Sequence, residues 1–140
     1  MFTVRAFFVC LIAAIMLGCS HSRSIDSEQL KQELTTSRSL AAEAALLIDS
    51  IASAKLTETF AREHAEYLQE KIKKELDELE RETPSPQAAG AYRQALNSLR
   101  EMEAAVHILS SESPERQELI RLRKAFEQAA QALRATQAAL

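Results

Sequence analysis

After residue 18 this 140-residue chain holds one glycine, Gly90, and three prolines, Pro84, Pro86 and Pro114. Glycine and proline are the residues that let a backbone turn sharply or stop a regular element. A sheet protein of this size needs such residues at each of many short connections. This chain lacks them, and Ala, Leu, Glu, Gln, Arg and Lys, all good helix formers, fill the sequence instead. The scarcity of turn residues restricts the chain to a few long helices.

Apolar spacing places those helices. Asp26 reads as an N-cap with Gln29 at the third helical position, and Ile25 with Leu30 forms a hydrophobic staple. Leu30, Leu34, Ser37, Ala41, Ala44, Ile48 and Ile51 follow with 4-3-4-3 spacing, widened by Leu40 and Leu47. Continuing that phase would put Lys55, Glu58 and Arg62 in a core. Leu56-Thr57-Glu58 instead looks like a fresh start, with a Thr cap and an acid in the first turn. A turn is expected near residues 54–57.

The second segment carries Phe60, Ala61, Ala65, Leu68, Ile72, Leu76 and Leu79 as its apolar stripe. Thr83-Pro84-Ser85-Pro86 ends it, and a third helix is expected to start at Ser85-Pro86, with proline in the first turn behind a serine cap. Tyr92, Leu99 and Val106 recur every seventh residue there, interleaved with Ala95, Met102 and Leu109. Ser113-Pro114 repeats the signal. The last helix shows the most regular stripe, Leu119, Leu122, Phe126, Ala129, Leu133, Thr136 and Leu140. Four helices of similar length joined by short loops imply an all-α, antiparallel four-helix bundle over residues 26–140. The alternative is three helices, the first long, bent and running over residues 27–82.

The amino terminus has a different character. Arg5 precedes an apolar run from Ala6 to Gly18, too short for the roughly 20 residues that cross a bilayer and flanked like a secretory signal. Ile15-Met16-Leu17-Gly18-Cys19 closes it. The segment resembles the signal peptide of bacterial lipoproteins. That resemblance, confined to residues 1–20, implies cleavage between Gly18 and Cys19, acylation of Cys19, residues 1–18 as signal peptide and residues 19–25 as a lipidated tether. Ser20 after the cysteine implies, again by resemblance, the outer membrane facing the periplasm. The competing readings are an ordinary cleaved signal and an uncleaved anchor.

The 121 residues after Cys19 carry 16 basic and 20 acidic side chains, which argues against a nucleic-acid partner. They contain no cysteine, so the body must hold together by packing without disulfides.

Chemistry-bearing patterns are sparse. His64 and His107 lie one turn apart in level if the second and third helices pair about residue 84, with Glu63 and Glu103 beside them. Neither histidine follows a glutamate by three residues, as di-iron bundles require. They remain candidate metal residues without a motif. Ser110, Ser111 and Ser113 lack the glycines of a nucleophile elbow, and no phosphate-cradling glycine loop exists. No enzyme activity and no cofactor are expected. Lys71 to Lys74 and Arg121 to Lys124 are basic clusters whose neighbours Glu70, Glu75, Glu118 and Glu127 suit local ion pairing; contact with anionic lipid is the sharper option. The expected function is that of an envelope lipoprotein serving as a non-catalytic structural or interaction module. Its partners would be the bilayer, through Cys19, and a helical protein or a second copy. The alternative is a periplasmic-facing bundle that binds a small ligand or metal.

Overall fold

The structure is a computed structural model that describes residues 24–111 and 113–140. The expected signal peptide, its cleavage site and Cys19 lie outside the described residues. Four helices make the body: α1 (Ser27–Ala52), α2 (Glu58–Glu80), α3 (Ala89–Ser111) and α4 (Arg116–Ala138). Each packs on its two sequence or ring neighbours, α1 on α2 and α4, and α3 on α2 and α4, while α1 and α3 barely meet across the diagonal. The result is an antiparallel four-helix bundle. Among the described residues no helix is long and apolar enough to cross a membrane.

The core follows the stripes. Leu30, Leu34, Ala41, Ala44 and Ile48 meet Ala65, Leu68, Ile72, Leu99, Met102, Val106, Leu122 and Leu133 in one cluster around Phe126, its largest fully buried side chain. Each large aliphatic residue buried there contributes roughly 1.5–3 kcal/mol, and the alanines let the helices approach closely. Of the buried polar residues Ser37, Ser98 and Thr136, the first and last bond within the bundle. The Ser37 hydroxyl donates to the Glu33 carbonyl at 3.0 Å, and the Thr136 hydroxyl lies 2.8 Å from the Ala132 carbonyl and 3.0 Å from Gln94 Oε1.

Phe60 departs from its stripe: it is 52% exposed. Ala61, Ala65, Leu68 and Ile72 are the residues that turn inward, and Phe60 stands about 100° around the helix from Ala61.

Asp26 caps α1 as expected, its Oδ1 accepting from the Gln29 amide at 2.9 Å, and both Ile25 and Leu30 are buried. At the other end the chain turns at residues 53–57. The Lys55 amide donates to the Ser50 carbonyl and the Ala54 amide to the Ile51 carbonyl, both at 3.0 Å. These two bonds form a Schellman motif, whose C′ residue is usually glycine. Here it is Ala54, at φ 51°. Thr57 then caps α2, accepting from the Phe60 amide at 3.3 Å. The long first helix of the alternative reading is therefore replaced by two.

Two helix starts differ from expectation. Regular α3 begins at Ala89 rather than at Pro86, because residues 86–88 form a turn in which Ser85 Oγ accepts from the Ala88 amide at 3.3 Å. For α4 the cap position falls on Glu115, which makes no side-chain capping bond, while the Ser113 hydroxyl donates to Glu58 Oε1 at 3.1 Å. Ser113 ties α4's approach to α2 rather than capping it.

Two short parallel strands complete the fold, β1 (Ser24–Ile25) and β2 (Thr83–Pro84), with Ser24 opposite Thr83 and Ile25 opposite Pro84. Pro84 has no amide hydrogen to give, so the ladder is closed by the Ser85 amide donating to the Ile25 carbonyl at 3.0 Å. The last two residues of the expected tether thus belong to the bundle. Tyr92 secures the same end: its hydroxyl lies 2.8 Å from the Leu79 carbonyl and 3.1 Å from that of Glu82.

Candidate functional site

Among the described residues four large apolar side chains are exposed, Leu46, Phe60, Tyr67 and Ile120. Leu46 and Phe60 line one shallow cleft with Glu43 of α1 and His64 of α2. The α2 residues Phe60, His64, Tyr67 and Lys71 are spaced by four, three and four, which places them in one row along a helix face. Phe60 and His64 stack with ring centroids 6.0 Å apart and planes 13° from parallel. His64 and Tyr67 follow at 5.9 Å, and Lys71 Nζ lies 5.3 Å from the Tyr67 ring centre. The row forms because the core stripe of α2 is occupied by Ala65, Leu68 and Ile72, leaving the neighbouring face to the aromatics.

This face is the candidate functional site. Of the four aromatic residues within residues 24–140, Tyr92 and Phe126 are buried and Phe60 and Tyr67 are exposed on the same helix. Exposed aromatic groups with an aliphatic neighbour supply large contact area with few rotamers to fix, the usual make-up of an interface centre. A single exposed leucine is ordinary; a grouped aromatic row is not.

The histidines engage different partners. His64 Nε2 sits 2.9 Å from Glu43 Oε1 on α1, whereas His107 Nδ1 is 3.1 Å from Gln69 Nε2 on α2. Among the described residues no group of three or more His, Cys, Asp or Glu side chains is placed to hold a metal ion. The serines are engaged as well. The Ser111 hydroxyl donates to the His107 carbonyl at 2.6 Å, the Ser110 hydroxyl is 2.6 Å from Gln69 Oε1, and Ser113 reaches Glu58. Their protons go to carbonyl, amide and carboxylate oxygens, and no histidine nitrogen accepts one of these bonds.

Three of the six basic side chains in the two clusters pair with acids. Arg121 pairs with Glu118, Arg123 bridges Asp49 at 2.9 Å and Glu127 at 3.2 Å, and Lys74 meets Glu78 at 3.5 Å. The α1–α2 seam also brings like charges together. Burial and then the charge of Glu33 raise the Glu75 carboxyl above its ordinary range, Glu78 adds to the rise, and Lys74 opposes it. Sequence reasoning missed this pair and the exposed row, because both depend on how α1 and α2 are rotated against each other. Only the four-three-four spacing of the aromatics was there to be read.

The molecule is thus an all-α up-and-down bundle with an exposed aromatic face on its α1–α2 side. No protein-family model, no curated protein and no solved structure matches the chain.

Proposed function

We propose that this chain is a lipid-anchored envelope protein, and that its bundle acts without catalysis as a structural or interaction module holding a partner beside the membrane. The observation that carries the reading is Ile15-Met16-Leu17-Gly18-Cys19 behind a basic start and a short apolar run. Cleavage before Cys19 and acylation of its sulfur would give two or more chains, and each buried methylene adds about 0.8 kcal/mol of membrane affinity. The expected site is the outer membrane, facing the periplasm.

The fold supports this reading through distance. Four residues lie between Cys19 and Ser24, a reach of at most about 18 Å over the five steps, and Ser24–Ile25 are fastened to the α2–α3 loop. An acylated Cys19 would hold that end of the bundle beside the bilayer, with the 53–57 turn pointing away. The end near the tether carries Asp26, Glu28, Glu80 and Glu82 beside Lys31 and Arg81, with Glu28 paired to Lys31 and Glu80 to Arg100. Leu46, Phe60, His64 and Tyr67, toward the far half of α1 and α2, are then open to a helical partner or a second copy.

Recovery of partners from membranes tests the proposal. The intact chain should retain a protein that is lost with Cys19→Ser, and lost again with the Phe60→Ala, Tyr67→Ala double variant at unchanged membrane attachment. Identical recoveries from all three would overturn it. A second reading, a bundle that holds a small ligand, is favoured by a cleft at the turn end of the molecule.

A further inference from the structure

That cleft lies between the 53–57 turn with the start of α2 and the end of α3 with Ser113 and Pro114. It is open on one side and has a volume of about 370 Å³, toward the small end of ligand pockets, which span roughly 300–1,000 Å³. Ile51, Leu56 and Leu109 form its apolar wall. Glu58 and Arg62 line it from α2 with opposite charges one helical turn apart. Opposite charges at this spacing commonly pair, yet among the described residues no ion pair joins them. Glu58 instead accepts the Ser113 hydroxyl at 3.1 Å. The cleft therefore offers an anion, a cation and an apolar surface side by side.

We propose that this cleft binds an apolar α-amino acid as its zwitterion, Arg62 taking the carboxylate, Glu58 the ammonium and the Ile51, Leu56 and Leu109 wall the side chain. The proposal rests on the small-ligand reading above and gives it a substrate class. A simple carboxylate would meet Arg62 but be repelled by Glu58; a simple amine would face the reverse. An uncharged apolar molecule would meet neither charge. A zwitterion meets both. The guanidinium fork matches a carboxylate in two parallel hydrogen bonds, and Glu58 keeps an oxygen beyond the one Ser113 uses.

Nuclear magnetic resonance titration of the full chain in detergent micelles tests this, with leucine as the probe and leucinamide and 4-methylpentanoate as analogues that each lack one charge. Leucine should shift resonances of residues 51–62 and 109–115. Each analogue should bind at least about tenfold more weakly, the scale of one lost charge-assisted hydrogen bond. Arg62→Gln and Glu58→Gln should each weaken leucine by a similar factor; both side chains are exposed, so the melting temperature should not move. If an analogue binds as tightly as leucine, the zwitterion assignment fails while the small-ligand reading stands. If no probe shifts those residues, the assignment fails and the small-ligand reading loses its amino-acid class. Shifts confined to the Leu46–Phe60 face also overturn the assignment.

Discussion

The Ser85 amide and the Ile25 carbonyl, 3.0 Å apart and 60 positions apart in sequence, fasten the start of the folded chain to the loop between α2 and α3. Ile25 drives its side chain into the core beside this bond and is only 3% exposed. Ser24 and Ile25, the last two residues of the expected tether, are therefore part of the bundle, which limits how far the body could stray from a tethered Cys19.

Removing that fastening should cost stability. Ile25→Ala deletes buried methyl and methylene groups, and substitutions of this kind cost about 2–5 kcal/mol in a well-packed core. A value near the lower figure is expected at this edge position. Chemical denaturation should show it, and hydrogen exchange at the Ser85 amide should rise by more than exchange in mid-helix. Equal stability of the variant and the parent would mean that β1 is not an integral part of the fold.

Ala54 makes an opposite prediction. A non-glycine residue in the left-handed region costs roughly 1–2 kcal/mol, and glycine pays part of that back by its greater freedom when unfolded. Ala54→Gly should stabilise the protein by about 0.5–1 kcal/mol, read as a rise in melting temperature. A fall would show that the turn does not hold residue 54 at positive φ.

The acid pair predicts a pH dependence. Glu75 has its carboxyl raised by burial, by Glu33 across the seam and by Glu78 beside it, with Lys74 opposing. A raised carboxyl binds its proton more tightly in the folded state, so its contribution is present below the ordinary carboxylate range and lost as pH rises through the raised value. At neutral pH the pair is a liability. Glu75→Gln should stabilise there by less than about 1 kcal/mol, since the site is partly open to water, and the advantage should shrink as pH falls through the carboxylate range. Melting curves between acid and neutral pH check both parts.

Most of the architecture was legible because it is written in local or periodic terms. The Asp26 cap, the 4-3-4-3 stripe from Leu30 to Ile48 and the heptads of α3 and α4 need no knowledge of neighbours. The turn at residues 53–57 was legible only through Thr57 and the failing stripe, since the position where glycine would announce it holds Ala54. Pro86 and Ser113 misled by a few residues, because a proline marks where a helix can begin and Ser85 spends its hydroxyl on a turn. The pairing of Ile25 with Pro84 left no trace, as a two-residue strand has no period. Nor could the sequence place Phe60 outside the core or bring Glu58, Arg62 and Leu109 to one cleft; those follow from rotation of whole helices.

The central claim is that Cys19 is the acylated first residue of the mature protein. Mass spectrometry of the amino-terminal peptide from isolated envelopes tests it most directly. The account predicts a peptide beginning at Cys19 with a diacylglyceryl thioether and an acylated amine. A free thiol at Cys19, or a peptide still carrying residues 1–18, would contradict it.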